Sequence, residues 1–316
     1  MITINKPIVV ISKCLEFDSC RYDGQLITNK YIRILKEYIN FIPICPEVEI
    51  GLGIPRDPIH IISNKEGNTL YQPSTKRDIG KLMYDFSDNF IDRLVQVDGF
   101  ILKSRSPSCA ISTAKKFPNI SEKQSMGNGP GLFTEKIIES FPDHPMEEDK
   151  RLNDIFLREH FYTAIFTLSD FRNVKDFKSL YDFQGRHKLL FMTYNQTKMR
   201  KLGQIASNDD RKPLEDILVE YYNILLKLFK RRPNYLSNIN TQMHAFGYYK
   251  RELNSNEKIY FLEILDDYRS KKVPISAINT VLTSWNVRFQ NKYLLNQSYF
   301  KPFPEGLIEN KESRMK

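Results

Sequence analysis

The sequence of 316 residues has no apolar run that approaches the roughly 18–20 residues a membrane-spanning helix requires. Its first residues, MITINKPIVVISK, lack the basic start and the long apolar core of a secretion signal. Cysteine is scarce, with four residues in the whole chain. These absences predict a soluble cytoplasmic protein without structural disulfides, in which each thiol is buried, binds a metal or reacts.

Closely spaced metal-ligand sets are missing as well. No two cysteines stand in the C-x₂₋₄-C pairs that closed zinc sites usually show, and the close-spaced triplet of radical enzymes is absent. The segment GNGPG (127–131) lacks the full spacing of a dinucleotide fingerprint. We interpret the surrounding polar, Gly-rich stretch, residues 114–131, as a long loop or a pair of turns.

The first half of the chain alternates short apolar runs with helical patterns. Four runs have the length and composition of buried strands, at residues 7–12, 41–45, 58–63 and 99–104. Helical spacing of apolar residues appears at residues 29–39 and 78–96. This alternation predicts an α/β fold, a Rossmann-like three-layer domain with a mostly parallel sheet.

The second half has helical periodicity and no strand alternation. Helices are predicted at residues 151–168, 186–205, 213–232, 257–273 and 275–289. We therefore expect two domains, an α/β domain at 1–165 and an all-α domain at 166–316.

The positive charge is confined to the helical half. From Leu168 onward there are 26 Lys and Arg against 16 Asp and Glu, whereas the preceding residues are nearly neutral. A one-sided basic domain points to a polyanionic partner such as nucleic acid. The alternative interpretation is a solvated helical surface rich in lysine.

Three of the four cysteines follow predicted strands directly or after a turn. Cys14 follows the first strand, Cys45 ends the second and Cys109 follows the fourth. Ligands of open α/β sheets bind outside the carboxyl ends of the strands, so these thiols are predicted to converge. The alternative is that each is an ordinary buried cysteine. Cys20, in a turn, could be a fourth ligand, and we interpret it as a free thiol.

Well-separated cysteines that converge from three strands fit an iron–sulfur cluster, which cysteine thiolates bind. Three ligands for a four-iron cluster leave one iron open as a Lewis acid and a soft site for sulfur. Glu47, two residues from Cys45, and Ser106, in SPSC, are candidates for acid–base catalysis at such a site. Their alternative roles are a carboxylate at a helix start and a turn or cap residue.

Several long motifs resemble the DUF523 family, which includes thiouracil desulfidases of the TudS type. They are ISKCLEFDSCRYDG, CPEVEIGLGIPRDPI, DGFILKSRSPSC, and GLF followed by EEDKRLND and LREHF, in family order through roughly the first half. In the second half, FQGRHKLLFMTYNQTKMRKLGQ resembles the helical DUF1722 domain. The fused arrangement is similar to YbgA-like, RudS-type desulfidases, which remove sulfur from 4-thiouridine in tRNA.

The resemblance implies a [4Fe-4S] cluster that three cysteines hold and that has one open iron. It also implies an acid–base pair beside the cluster. The matching positions are Cys14, Cys45 and Cys109 for the cluster and Glu47 and Ser106 for the pair. The usual glycine after the last cysteine is Ala110 here, and the family's CLLG is CLEF at 14–17. We expect both departures to lie at the pocket and to affect substrate fit.

The expected function is hydrolytic removal of sulfur from thiolated uracil, with 4-thiouridine in tRNA as the substrate and the basic helical domain holding the RNA backbone. One alternative is a desulfidase for free thiouracil or a thionucleotide such as thio-UMP. Another is a nucleic-acid-binding protein, without catalysis, whose cluster is structural or senses redox state. Neither the oligomeric state nor a membrane partner is indicated by the sequence.

Overall fold

The computed structural model describes residues 5–308 except Glu66 and Lys123. The chain divides into two compact units between Ser169 and Asp170. The first unit mixes strands with helices and the second is helical, which confirms the predicted fold class. None of the described helices combines the length and the apolar character needed to cross a membrane.

The strands of the first unit form two sheets. In chain order they are β1 (Ile8–Ser12), β2 (Asn40–Ile44), β3 (His60–Asn64), β4 (Gly67–Gln72), β5 (Arg77–Asp78), β6 (Gly99–Leu102), β7 (Ala114–Phe117), β8 (Gly127–Gly129) and β9 (Met146–Glu148). Four helices accompany them: α1 (Lys30–Leu35), α2 (Pro46–Glu49), α3 (Gly80–Asp92) and α4 (Leu132–Ser140).

The sheet that places the cysteines is parallel throughout, with strand order β2-β1-β6-β9. The central strand β1 is an unbroken apolar run because both of its faces are covered, and Val9, Val10 and Ile11 are fully buried. Since all four strands run the same way, their carboxyl ends meet at one edge.

The second sheet is mixed, with strand order β5-β4-β3-β7-β8. It corrects the prediction of a loop at 114–131, because β7 and β8 pair antiparallel within that stretch. Gly129 has no side chain, and a Cβ there would lie 2.5 Å from Cε of Lys116 on β7. A strand of this composition carries no alternating apolar signal, so only its pairing with β7 defines it.

The core of the first unit lies between sheet and helices. Phe100 and Leu102 of β6 pack in one cluster with Met83 of α3 and Phe133 of α4, all fully buried. Burial of a Phe, Leu or Met side chain stabilises the fold by about 1.5–3 kcal/mol. This packing fixes β6, the strand that leads into the segment containing Ser106 and Cys109.

The remaining helices begin with α5, which crosses the division between the units. They are α5 (Ile155–Phe171), α6 (Phe177–Tyr194), α7 (Gln196–Ser207), α8 (Leu214–Leu228), α9 (Tyr235–Gly247), α10 (Ser255–Arg269), α11 (Ile275–Phe289) and α12 (Lys292–Leu295). The single helix predicted at 186–205 is wrong, since it is interrupted at Asn195. Asn195 has extended backbone, and its side chain accepts a hydrogen bond from the backbone N–H of Lys198 as the N-cap of α7.

Candidate active site

Three thiols lie at the carboxyl edge of the parallel sheet, as the strand ends predict. Cys14 follows β1, Cys45 follows β2 as the N-cap residue of α2, and Cys109 lies in the segment after β6. All three are buried, with 8%, 8% and 6% of their surface exposed, and none forms a disulfide. The thiol of Cys109 lies within electrostatic range of both Cys45 and Cys14.

The fourth thiol joins this group. Cys20 is 1% exposed, and its backbone carbonyl oxygen accepts a hydrogen bond from the thiol of Cys45 at 3.7 Å. The neighbouring thiol of Cys20, helped by the backbone N–H of Val48 and opposed by burial, lowers the pKa of Cys45. Burial raises the pKa of Cys14 to about 12 and also raises that of Cys109. Cys45 is therefore the thiol of the three that ionises most readily.

The segment that carries Cys109 is held by the start of α4. Backbone N–H groups of Gly131 and Leu132 donate to the carbonyl oxygens of Ala110 and Pro107 at 2.8 and 3.1 Å. The hydroxyl of Thr134 donates to the carbonyl oxygen of Cys109 at 2.8 Å. The first backbone N–H groups of a helix have no partner within the helix. Here they donate to the segment that carries Cys109, which lies outside the strands.

Gly131 allows this close approach, because an added Cβ would lie 2.4 Å from the carbonyl carbon of Ser108. We expect Gly131→Ala to lower the free energy of unfolding by about 1–3 kcal/mol, the typical cost of overpacking. Because the displaced backbone carries Cys109, iron uptake on reconstitution should fall as well. Chemical denaturation and an iron assay measure the two effects.

Gly185→Ala is the matched control. Gly185 lies within α6 and an added Cβ meets nothing within 4 Å, so this change should stabilise the protein by about 0.5–1 kcal/mol. A Gly131→Ala protein with unaltered stability and iron content would contradict the account of the close approach.

The carboxylate of Glu47 is buried beside the thiols and both of its oxygens are engaged. Oε1 accepts a hydrogen bond from the hydroxyl of Ser108 at 2.9 Å and one from Ser106 at 3.5 Å. Oε2 accepts from Arg56, whose Nε is 2.7 Å away. Ser106 Oγ itself accepts from the backbone N–H groups of Ser108 and Cys109 at 3.2 and 3.1 Å. Its own proton is therefore directed towards Glu47.

These residues surround a cavity of about 410 Å³, a volume typical of a small-molecule pocket. Its lining includes the thiols of Cys14, Cys20 and Cys45 and the side chains of Glu47, Arg56 and Ser106. Its remaining lining includes four basic residues, Arg21, Lys103, Arg105 and Lys150, and one acidic residue, Asp57. The cavity, which is partly open to solvent, brings acid–base groups and soft sulfur donors together.

All five residues singled out from the sequence are brought together at this edge, although Cys109 does not line the cavity. The expectation that the two departures from the family motif lie at the pocket is not met, since none of Glu16, Phe17 and Ala110 is among the lining residues. Phe17 instead packs edge-on against Phe41, with ring centroids 5.4 Å apart.

Sequence reasoning missed Ser108, Arg56 and Lys103. Ser108 stands in the same SPSC motif as Ser106 and lies closer to Glu47, but the motif alone does not distinguish the two serines. Arg56 stands in the motif that contains Cys45 and Glu47, which is the one signal that could have revealed it. Lys103 Nζ pairs with Asp149 at 3.2 Å, and nothing in the sequence indicates that pairing.

The thiols are a donor set whose chemistry is compatible with a multi-iron cluster. Among the described residues, no group of three His, Cys, Asp or Glu side chains is arranged to hold one metal ion. A four-iron cluster binds each thiolate through a different iron, so its ligands need not meet at one point. Three buried thiols without a disulfide, within electrostatic range of one another, fit that requirement.

Comparison with known families gives two matches along the chain. Residues 9–149 match the 2-thiouracil desulfurase family, and residues 188–304 match DUF1722, a family of unknown function. The order and placement of the two matches confirm the resemblance drawn from the sequence motifs.

Two curated proteins are similar to parts of the chain. The uncharacterized protein YbgA of Escherichia coli is 26% identical over 145 residues, which cover 44% of this chain and 86% of YbgA. The uncharacterized protein YbbK of Bacillus subtilis is 27% identical over 108 residues, 32% of this chain and 72% of YbbK. Among solved structures, the [4Fe-4S]-dependent thiouracil desulfidase TudS is 23% identical, with a TM-score of 0.39, over 49% of this chain and 98% of that one.

Proposed function

We propose that this chain, which matches the 2-thiouracil desulfurase family at residues 9–149 and DUF1722 at residues 188–304, removes sulfur hydrolytically from thiolated uracil, with 4-thiouridine in tRNA as its substrate. The proposed cofactor is a [4Fe-4S] cluster held by Cys14, Cys45 and Cys109, with one iron not bound by the protein. The proposed acid–base pair is Glu47 and Ser106. We propose that the protein works in the cytoplasm.

One observation carries the proposal. The cavity of about 410 Å³ is lined both by thiols and by Glu47, a buried carboxylate with two hydroxyls at Oε1. Soft sulfur donors, an oriented carboxylate and a hydroxyl relay are the groups that hydrolysis of a carbon–sulfur bond needs. A buried structural thiol cluster would not require a carboxylate aimed at the same cavity.

When bound, the cluster supplies an open iron that attracts the thiocarbonyl sulfur and polarises the carbon–sulfur bond. Glu47 Oε1 accepts a proton from a water molecule, and the water oxygen bonds to the ring carbon. Ser106 passes that proton on to the departing sulfur or to the ring nitrogen. The carbon–sulfur bond breaks with its electron pair on sulfur, which leaves as hydrosulfide. Water and thiocarbonyl become carbonyl, hydrosulfide and one proton, which is released to solvent, without net oxidation or reduction.

The basic lining of the cavity supports a substrate that carries phosphate. Arg105 and Lys150 are exposed and form no ion pair with any described acidic residue. Arg21 lies over the ring of Tyr22, 4.7 Å from its centroid, and both line the cavity. The unpaired Arg105 and Lys150 beside a cavity of about 410 Å³ suit a nucleotide or a nucleotide within RNA better than a free base.

The helical unit supports the choice of RNA. From Leu168 onward the sequence has an excess of ten positive charges, and Arg231 and Arg232 after α8 are exposed without a described acidic partner. Adjacent exposed arginines of this kind bind phosphate groups. We propose that they contact the tRNA backbone.

The test compares 4-thiouridine in tRNA with 4-thio-UMP, using anaerobically reconstituted protein. The value of kcat/KM on tRNA should fall as salt rises, with a log–log slope of about −0.7 to −0.9 for each phosphate contacted. The double variant Arg231→Ala, Arg232→Ala should make that slope shallower by about 2. Lys81→Ala removes an exposed charge from the first unit and serves as the control.

Three other results would redirect the proposal. Equal turnover on tRNA and on 4-thio-UMP, with the same salt response, would favour a desulfidase for small thionucleotides. Turnover of thiouracil alone would place the activity on free bases. Iron fully ligated by four cysteines including Cys20, together with no turnover, would favour a structural or sensing cluster.

A further inference from the structure

We infer that Arg56 is a positioning residue. Its guanidinium orients the carboxylate of Glu47 and at the same time contacts the sulfur of Cys45. The inference rests on the proposed function, in which Glu47 moves protons and Cys45 is a cluster ligand. It assigns a separate task to a side chain that neither binds the cluster nor transfers a proton.

The guanidinium of Arg56 is buried and every nitrogen is used. Its side chain is 4% exposed, and both Nε and Nη2 reach Oε2 of Glu47, at 2.7 and 2.6 Å. Nη1 donates to the carbonyl oxygens of Cys20 and Gly53 at 3.0 and 3.1 Å. A buried cation is costly unless its donors are satisfied, and here they are.

The same guanidinium also contacts a thiol. Nη2 lies 3.8 Å from Sγ of Cys45, within the range of an N–H···S hydrogen bond. One planar group therefore contacts Glu47, Cys45 and the backbone of Cys20 at once. A lysine ammonium is a compact point charge on a flexible stem and cannot hold this planar fork.

For Glu47, the consequence is a fixed orientation. Because Arg56 takes Oε2, the carboxylate presents Oε1 to the hydroxyls of Ser108 and Ser106. Misplacing a catalytic group by about 1 Å can lower the rate by about 10²-fold. Loss of the guanidinium should therefore lower kcat and leave KM nearly unchanged.

For the bound cluster, the consequence is electronic. A positive charge and an N–H donor beside a ligand sulfur stabilise the more negative, reduced form, and hydrogen bonds to the sulfurs help to set the reduction potential. Removing them should shift the reduction potential to a more negative value. This readout is independent of the desulfidase reaction.

The experiment uses Arg56→Lys and Arg56→Gln in the full, anaerobically reconstituted protein. We expect a fall in kcat of about 10- to 10²-fold with KM nearly unchanged, and a negative shift of the reduction potential measured by voltammetry. The shift should be larger for Arg56→Gln, which also removes the charge. Should Arg56→Gln fail to fold, Arg56→Lys, which keeps the charge, carries the test.

A double variant and a matched control test whether Arg56 acts on kcat through Glu47. In a Glu47→Gln background, Arg56→Lys should have little further effect on kcat, because it acts through Glu47, while its effect on the potential persists. Arg151→Lys is the matched control: Arg151 makes a comparable two-nitrogen contact with Glu147, at 2.8 and 3.2 Å, away from the cavity.

Wild-type values of both kcat and potential in Arg56→Lys and Arg56→Gln would overturn the inference. An additive loss of kcat in the double variant would overturn the link through Glu47. A cluster-loaded wild-type protein without desulfidase activity would contradict the proposed function alone, because the shift in potential would still report the contact between Arg56 and Cys45.

Discussion

Glu47→Gln is expected to lower kcat by about 10²–10⁴-fold, the usual contribution of a general acid–base group, while the iron content stays at the wild-type value. The amide keeps the shape of the side chain, but its single oxygen can accept from Ser108 or from Arg56 and not from both. It cannot take a proton from water at neutral pH, so the chemical step is lost. Single-turnover kinetics beside an iron assay measure both quantities.

Glu49→Gln is the matched control for that prediction. Glu49 lies on the same short helix α2, two positions further on, and is exposed. Its substitution should leave kcat and iron content unchanged. A Glu47→Gln protein that turns over at the wild-type rate would contradict the base assignment, whereas loss of iron would mean that Glu47 has a structural task at the cluster.

Substitution of any one of Cys14, Cys45 or Cys109 by serine is expected to abolish turnover together with cluster binding. Serine hydroxyls are poor ligands for iron in such clusters, which thiolates hold. Bound iron should fall from about four per chain towards zero, and the iron–sulfur absorbance should disappear with it. Circular dichroism of the variants checks that the fold itself is kept.

Cys20→Ser is the matched control among the thiols. Cys20 is also buried and lines the cavity, and its carbonyl oxygen accepts a hydrogen bond from the thiol of Cys45, yet we do not propose it as a cluster ligand. This variant should keep the cluster and most of the activity. If Cys20→Ser loses iron while one of the other three variants keeps it, the ligand assignment is wrong.

Elements whose apolar residues recur at regular helical or strand spacing could be predicted from the sequence. The buried strands β1, β2 and β6 and the helix α3 carry apolar patterns that local reasoning detects. The strands β7 and β8 carry none, because they are polar or glycine-rich and exist through pairing with each other and with β3. The break at Asn195 depends on a single capping side chain within an otherwise continuous helical pattern.

The part of the candidate site that follows from the topology of the parallel sheet could be predicted from the sequence. Strand ends of a parallel sheet meet at one edge, so the placement of Cys14, Cys45 and Cys109 follows from the strand assignment. The partners of Glu47 do not follow in the same way. The contact with Ser108 joins residues 61 positions apart, and a contact of that kind appears only once the chain has folded.

The most direct test of hydrolytic desulfuration is an isotope experiment. Anaerobically reconstituted protein is incubated with 4-thiouridine tRNA in ¹⁸O-labelled water without an electron donor, and released sulfide and labelled uridine are counted. The account predicts one hydrosulfide and one ¹⁸O-labelled uridine for each thiouridine consumed. Consumption that requires an electron donor, or a uridine product without the label, would contradict it, as would a cluster-loaded protein that leaves the thiouridine intact.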